Sequence, residues 1–186
     1  MRLVFLGAPG VGKGTQAKLL SEREGLAHIS TGDLLRDAVS RKTRLGLAAK
    51  EIMDRGDLVG DDIVLGLIEE TLGTLGGRGF VLDGFPRTQA QAEGLDGLLR
   101  TRGESLDGVV NLTAPDEEVV QRLLDRGRPD DTPETVRHRL ETYRRKTAPL
   151  IDRYEKGGLL VKVDGVGDIE AIQDRVRRAL NGAVRG

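Results

Sequence analysis

The chain has 186 residues, which is enough for one well-packed domain and short for two. Charged residues make up 32% and apolar residues 38%, a composition typical of a folded globular protein rather than a disordered or membrane-embedded one. The 29 basic residues are balanced by 30 acidic ones, and only 3% of the residues are aromatic. This balance argues against a general nucleic-acid binder.

The sequence shows no pattern for a membrane segment or for export. No apolar run approaches the about 18–20 residues that a membrane span requires, and the opening MRLVFLGAPG breaks into Gly and Pro too early for a signal peptide. The chain has no cysteine, which excludes a disulfide framework and a thiolate zinc site. We therefore expect a cytoplasmic protein without zinc, membrane or nucleic-acid partners.

Five short apolar runs alternate with helical patterns along the chain. The runs are LVFLG (3–7), LAHIS (26–30), GFVLDG (79–84), VVNLT (109–113) and LLVKVDG (159–165). Near-continuous apolar character is typical of strands that are covered on both faces. Because strands and helices alternate, we predict an α/β fold with a five-stranded parallel sheet flanked by helices.

The first strand leads into the glycine-rich stretch GAPGVGKGTQ, residues 7–16. Its glycines allow the backbone to curl with several N–H groups facing a phosphate, and the following helix and Lys13 add positive charge. These glycines are Gly7, Gly10, Gly12 and Gly14. A glycine-rich turn with an incidental lysine is the alternative, but the position between a strand and a helix favours a phosphate site. The hydroxyl that usually follows the lysine comes one position later, at Thr15.

Two segments depart from simple alternation. Three helical patterns, at about 31–42, 46–55 and 61–72, lie between the second and third strands, although one helix would suffice for a crossover. We therefore expect residues 30–59 to form an excursion from the core. The second departure is RGRPDDTPE (126–134), a turn between two arginine-bearing helices. Both segments are predicted to be mobile covers over a site at the strand ends.

Four motifs together resemble the adenylate kinases, which are nucleoside monophosphate kinases. They are GAPGVGKGTQ, STGDLLR (30–36), VLDGFPR (81–87) and VRHRLETYRRKTAPLI (136–151), in register over nearly the whole chain. The order lysine, glycine, threonine in the first motif resembles this family's own form of the loop. The resemblance implies a P-loop fold and reversible, Mg²⁺-dependent phosphoryl transfer, ATP + AMP = 2 ADP, serving adenine nucleotide homeostasis and AMP salvage.

The resemblance also implies a division of the chain. The core is expected at 1–29, 60–125 and 133–186, a helical AMP-binding segment at 30–59 and a lid at 126–132. Only Gly127 separates Arg126 from Arg128, where lids of the family commonly carry several more residues. A very short lid is therefore expected.

The resemblance assigns roles to individual residues of the motifs. The expected ATP-binding residues are Gly10, Val11, Gly12, Lys13, Gly14, Thr15, Arg122, Arg126 and Gly167. The expected AMP-binding residues are Thr31, Arg36, Met53, Asp57, Leu58, Val59, Gly84, Arg87, Gln91, Arg128 and Arg139. The residues expected to act in catalysis are Lys13, Arg87, Arg126, Arg128 and Arg139.

Two aspartates are candidates for holding Mg²⁺, directly or through water. Asp83 ends an apolar strand, where its carboxylate could lie next to the phosphates on Lys13. Its alternative role is that of a turn-forming residue before Gly84. Asp33 could act similarly, or it could simply be an acid in the first turn of a helix. Asp83 is the stronger candidate.

Arg87 and Gln91 each admit two interpretations. A guanidinium can bind a phosphate through two parallel hydrogen bonds, although most arginines are simply solvated. TQAQ (88–91) fits a helix capping box, in which Gln91 reaches back toward Thr88. The resemblance instead implies that Gln91 hydrogen-bonds the adenine of AMP, near Thr31.

The basic residues between positions 122 and 145, and the two histidines, are expected to differ in role. Arg122 and Arg126 are four residues apart and share a helix face, whereas Arg137 and Arg139 are two apart and do not. Solvated positions are expected for Arg137, Arg144 and Arg145, and structural roles for His28 and His138.

Two other functions stay open at this point: a kinase for another acceptor, such as UMP or CMP, and a non-catalytic nucleotide-binding module. The density of phosphate-directed charges argues against simple binding. A monomer is expected, because no long exposed apolar stripe is visible.

Overall fold

The computed structural model describes residues 1–184, and these form a three-layer α/β domain. The strands are β1 (Arg2–Leu6), β2 (Ala27–Ser30), β3 (Phe80–Asp83), β4 (Gly108–Thr113) and β5 (Leu160–Asp164). All neighbouring strands are parallel, and their order is β2-β3-β1-β4-β5. The predicted five-stranded parallel sheet is therefore confirmed, with each strand within one or two residues of its apolar run.

Helices cover both faces of this sheet. They are α1 (Lys13–Glu24), α2 (Thr31–Ser40), α3 (Arg44–Asp54), α4 (Asp61–Gly73), α5 (Gln89–Thr101), α6 (Asp116–Arg126), α7 (Pro133–Thr142), α8 (Pro149–Lys156) and α9 (Ile169–Val184). A π-helical turn, Tyr143–Thr147, joins α7 to α8. Within residues 1–184, none of these helices combines the length and apolar character needed to cross a membrane.

The strands read as continuous apolar runs because both faces of the sheet are buried. In β1, Val4 and Leu6 belong to one hydrophobic core, and Leu3 and Phe5 belong to the other. Successive side chains of a strand point to opposite faces, so each core receives every second residue. All four side chains are at most 2% exposed.

The sheet order places the loops after β1, β3 and β4 at one edge. The chain leaves β1 toward β2 on one side and later reaches β4 on the other, so the carboxyl end of β1 is a topological switch point, where ligands bind in open α/β sheets. Phe5 pairs in register with Asp83, which brings the end of β3 beside the start of the glycine-rich loop.

The excursion consists of two short, closely packed helices. Ser30 caps α2 by accepting a hydrogen bond from Asp33 N, and Thr43 caps α3 by accepting one from Gly46 N. The helices cross so closely that a Cβ on Gly46 would lie 2.0 Å from the Ala38 carbonyl oxygen. The three predicted helices between β2 and β3 are confirmed, whereas the domain boundaries at 30 and 59 stay a prediction.

Candidate active site

One cavity of about 910 Å³ opens at the carboxyl edge of the sheet. It extends from the glycine-rich loop to the excursion, and its wall includes the ends of β3, α6 and α7. Every residue that the sequence predicted to bind ATP, AMP or Mg²⁺ lines this cavity. The structure therefore brings together residues that lie more than 150 positions apart, such as Val11 and Gly167.

Lys13 is held inside the glycine-rich loop. Its Nζ donates hydrogen bonds to the carbonyl oxygens of Gly7 and Ala8, both at 2.8 Å. Burial lowers the pKa of Lys13 to about 8, with Asp83 opposing this shift and Arg87 and Arg126 adding to it. The ammonium thus lies in a poorly solvated position that an incoming phosphate would stabilise.

Two glycines of the loop have close neighbours. Gly10 has φ +86°, and a Cβ there would lie 2.6 Å from the Leu123 side chain. A Cβ on Gly14 would lie 3.2 Å from Asp83 Oδ2. The side chain that most phosphate loops carry directly after the lysine would crowd this carboxylate. A side chain at position 14 would therefore require the Asp83 carboxylate to shift by a few tenths of an ångström.

Asp83 provides the carboxylate nearest to the loop. Burial alone would raise the pKa of Asp83, but His28, Lys13 and Arg87 outweigh burial and hold the pKa below its ordinary value. His28 Nε2 lies 3.8 Å from Asp83 Oδ2. Asp33 also lines the cavity, and there the ion pair with Arg36 outweighs burial and lowers the pKa of the carboxyl. Both acids are therefore ionised at neutral pH.

The acid groups fit a Mg²⁺ ion that arrives with a nucleotide. No group of three or more His, Cys, Asp or Glu side chains in the described part of the chain could hold a metal by itself. Mg²⁺ usually keeps several waters and binds through one or two carboxylates together with substrate phosphates. The Asp83 carboxylate, which lies beside the phosphate loop, matches that requirement.

Among the described residues, six arginines line the same cavity: Arg36, Arg87, Arg122, Arg126, Arg128 and Arg139. Burial lowers the pKa of Arg87, with Asp83 opposing it and Arg139 and Arg36 adding to it. Burial likewise lowers the pKa of Arg128, with Arg36 and Arg126 adding to it. Positive charges that depress one another's pKa in this way create a site for an anion.

Two adjacent aspartates in the lid turn bind two of these arginines. Arg126 donates through Nε and Nη2 to Asp131 at 2.9 and 2.8 Å, and Arg139 Nη1 donates to Asp131 Oδ1 at 2.8 Å. Arg139 also contacts Asp130. The Asp131 side chain is 0% exposed. The sequence identified the RPDD element but gave no partners for its acids.

The lid is a single tight turn. Gly127 ends α6 with φ +65°, and Thr132 caps α7 by accepting a hydrogen bond from Thr135 N. In between, Asp131 N donates to the Arg128 carbonyl at 2.9 Å. The connection between α6 and α7 is as short as the sequence suggested, and its role as a lid stays a prediction.

Asp57 and His138 join the excursion to α7. His138 Nε2 lies 2.7 Å from Asp57 Oδ1, and hydrogen bonds from His138 and Arg55 lower the pKa of Asp57. Arg139 Nη2 also donates to the Met53 carbonyl at 3.5 Å. The structural role expected for His138 thus has a specific partner. Asp57, expected to bind AMP, lines the cavity, but its carboxylate is engaged with protein.

Arg122 lies on the other side of the glycine-rich loop. Its Nη1 donates to the Val11 carbonyl at 3.1 Å, and its Nη2 donates to the Gly165 carbonyl at 3.0 Å and contacts Glu118. Arg122 therefore connects the loop to the segment before α9, which contains Gly167. Arg122 and Arg126 share α6, as predicted; Arg122 pairs with Glu118, and Arg126 pairs with Asp131, which also contacts Arg139.

Gln91 takes part in the helix cap and also lines the cavity. Thr88 Oγ1 accepts a hydrogen bond from Gln91 N at 3.1 Å, which confirms the cap. The Gln91 side chain reaches back to Arg87 N at 2.7 Å, one residue earlier than in a capping box, and also contacts Asp61. It is 2% exposed and lines the cavity.

The three arginines that were expected to be solvated lie at the surface. Arg137, Arg144 and Arg145 are exposed, and Arg144 pairs with Asp116. Sequence reasoning missed Thr142 and Thr147, which line the cavity at the π-helical turn. Thr147 Oγ1 donates to the Arg87 carbonyl at 2.8 Å. A π-helical turn has no periodicity that the sequence could have revealed.

Comparison with known proteins gives a consistent result. The family model described as adenylate kinase matches residues 5–159. An adenylate kinase of Synechococcus sp. (strain WH7803) is 52% identical over 179 residues, 96% of this chain and 98% of that protein. Adenylate kinases of Stenotrophomonas maltophilia (strain R551-3) and Xanthomonas euvesicatoria pv. vesicatoria (strain 85-10) are 50% and 52% identical, over 98% and 97% of this chain.

The length of these matches bears on the lid. The match with the Synechococcus protein is 179 residues long and covers 96% of this chain, so the two lengths are almost equal. The Synechococcus protein therefore carries no insertion of several residues within the matched region. The short turn between Arg126 and Arg128 is therefore not a deletion relative to that protein. With the family model covering most of the chain and relatives at about half identity over nearly its whole length, this chain belongs to the adenylate kinase family.

Proposed function

We propose that the protein transfers the γ-phosphoryl group of Mg·ATP to AMP, reversibly, giving two ADP. An oxygen of the AMP phosphate forms the new bond to the γ-phosphorus, and the bond from that phosphorus to the β–γ bridging oxygen breaks. The electron pair of that bond remains on the departing β-phosphate. No side-chain nucleophile is needed, because such transfer depends on alignment and charge neutralisation. The convergence of Lys13 and six arginines of the described chain on one cavity supports this proposal most directly.

The glycine-rich loop would bind the donor nucleotide. Lys13 and the backbone N–H groups from Gly10 to Thr15 would hold the phosphates of ATP, at the amino end of α1. Arg122, fixed between this loop and the segment before α9, would contribute to the wall of the ATP subsite, together with Gly167.

The excursion and the end of β3 would bind the acceptor. Arg87 and Arg36 would hold the AMP phosphate, and Arg128 would complete its orientation. Arg87 is well placed for this role because its Nε donates to the Gly84 carbonyl at 2.7 Å and its own carbonyl is held by Thr147. Thr31, Gly84 and the residues from Met53 to Val59 would enclose the nucleoside.

The base would be read by Gln91. A side-chain amide offers both a donor and an acceptor, which match the N1 acceptor and the N6 amino donor of adenine. Uracil lacks this arrangement, and a buried amide penalises a base that leaves it unpaired. This observation favours AMP over UMP as the acceptor.

Arg126 and Arg139 would neutralise the phosphoryl group during transfer. They lie on either side of the lid turn, and Asp131 contacts both. Asp83, and less directly Asp33, would hold Mg²⁺ through shared water ligands once a nucleotide is bound. When bound, the ion supplies positive charge to the donor phosphates.

Water is the competing acceptor, and closure of the excursion and the lid turn would exclude it. The contacts of Asp57 with His138 and of Arg139 with the Met53 carbonyl join the excursion to α7 and support this proposal. Solution scattering with a bisubstrate analogue tests this closure. A radius of gyration that does not decrease on binding would contradict it.

A monomer is the proposed assembly. Among the side chains whose burial the structure describes, the exposed large apolar ones are few and lie on separate elements: Met1, Leu47, Ile63, Leu124 and Ile169. Light scattering coupled to gel filtration tests this prediction directly. The cytoplasmic location stays a prediction from the composition.

Phosphorus NMR with Mg·ATP and each monophosphate in turn tests the reaction. We expect rapid formation of ADP with AMP and slow reaction with UMP or CMP. A preference for UMP or CMP would overturn the base assignment but keep the chemistry. Tight binding of ATP without turnover with any acceptor would favour the non-catalytic module instead.

A further inference from the structure

Asp61, the first residue of α4, binds the side chain that the proposed function uses to recognise adenine. Asp61 Oδ1 accepts hydrogen bonds from Gln91 Nε2 at 2.8 Å and from Thr88 Oγ1 at 3.0 Å. Gln91 lines the cavity, whereas Asp61 does not belong to the lining in the described part of the chain. Asp61 therefore lies behind the amide, where it can act on the ligand only through Gln91.

The neighbours of Gln91 allow only one orientation of its amide. Its Oε1 accepts a hydrogen bond from Arg87 N at 2.7 Å, and a backbone N–H can only donate. On the other side, the ionised carboxylate of Asp61 can only accept. Rotating the amide by 180° would set an N–H against the N–H of Arg87 and an oxygen against the carboxylate. Because Gln91 is 2% exposed, water could not easily relieve either mismatch.

The fixed orientation determines which base can pair with the amide. After its contacts with Asp61 and Arg87, Gln91 has one N–H on Nε2 and one lone pair on Oε1 left for a ligand. Adenine offers an acceptor at N1 and a donor at N6, which complement these two groups. A 6-oxopurine such as hypoxanthine has a donor at N1 and an acceptor at O6, so it requires the opposite orientation.

We propose that Asp61 is a positioning residue for base selection: it locks the Gln91 amide in the orientation that accepts a 6-aminopurine and rejects a 6-oxopurine. This inference rests on the proposed role of Gln91 in binding the base of AMP. Thr88 takes part because its hydroxyl accepts from Gln91 N and donates to Asp61, which ties the carboxylate to the amino end of α5.

The test compares kcat/KM for AMP with kcat/KM for inosine monophosphate. Replacing Asp61 with Ala removes the acceptor, and we expect the ratio to fall about tenfold, the effect of one charge-assisted hydrogen bond. The KM for ATP should not change. Asp61→Ser, which suits a helix amino terminus but is too short to reach Gln91, should give the same loss and guards against misfolding of the alanine variant.

Two further variants separate positioning from general effects. Asp61→Asn keeps an oxygen that can accept from both Thr88 and Gln91, so the ratio should stay within about threefold of the wild type. Asp62→Ala is the matched control, because Asp62 is also an acid in the first turn of α4 but is exposed. It should leave the ratio unchanged. A loss in Asp61→Asn as large as in Asp61→Ala would overturn the proposal, because charge alone would then explain the effect.

A Gln91→Ala variant separates the proposed role of Gln91 in base binding from the proposed role of Asp61 in positioning Gln91. If it leaves the ratio unchanged, the proposed role of Gln91 in base binding is wrong. If it lowers the ratio while Asp61→Ala and Asp61→Ser leave it unchanged, the role of Gln91 stands and the positioning role of Asp61 is refuted.

Discussion

The surroundings of Lys13 should make ATP binding depend on pH. Burial lowers the pKa of this ammonium to about 8 in the free protein. Phosphates bound against it would raise the pKa again, so above this pH ATP and a proton must bind together. Between pH 7 and pH 9 the protonated fraction of free Lys13 falls about tenfold, and the Kd for Mg·ATP should therefore rise about tenfold.

Isothermal titration calorimetry measures both parts of this prediction. At pH 8, in buffers with different enthalpies of ionisation, binding should take up about half a proton per ATP. The nucleotide contributes little, because phosphate groups with a second pKa near 6 are already ionised. Lys13→Arg is the control, since a guanidinium stays protonated over this range. The reasoning is refuted if Kd is constant from pH 7 to pH 9, or if both proteins show the same rise.

Three further substitutions, the first with a matched control, test the geometry of the site. Arg139→Ala should lower kcat by about 10²–10⁴, whereas the exposed Arg145→Ala should leave it nearly unchanged, as steady-state kinetics would show. Gly14→Ser should displace the Asp83 carboxylate, which lies 3.2 Å from the added Cβ, and lower kcat/KM about tenfold at saturating Mg²⁺. Asp57→Asn should lower the free energy of unfolding in urea by less than about 1 kcal/mol, because this carboxylate and its partner on α7 are 42% and 40% exposed.

The sheet was predictable because burial on both faces leaves a simple pattern. Each strand has a continuous apolar run, and parallel connections require a helix between successive strands. The edge that carries the site follows from the same topology, since the carboxyl ends of parallel strands lie together. Local motifs then placed Lys13 and Asp83 at this edge, and the structure brings the two within electrostatic reach.

The pairings between distant residues were not predictable in this way. Asp57 and His138 are 81 positions apart, and Asp61 and Gln91 are 30 apart. Nothing in the local sequence of either partner marks such a contact, because it depends on how α3, α4, α5 and α7 pack. The sequence therefore suggested which residues serve the ligand, but not which residues hold them in place.

Contacts between the phosphate-binding cations and other protein groups affect how strongly the site binds substrates relative to the transition state. Five of the cations expected to meet a phosphate already have a partner in the protein: backbone carbonyls for Lys13 and Arg87, and aspartates for Arg36, Arg126 and Arg139. A phosphate must compete with these partners, so part of the attraction is offset when the substrates bind. As charge redistributes during transfer, the same arginines can interact more strongly with the phosphoryl group than they did with the substrates. Interactions that strengthen only in the transition state raise kcat without tightening substrate binding.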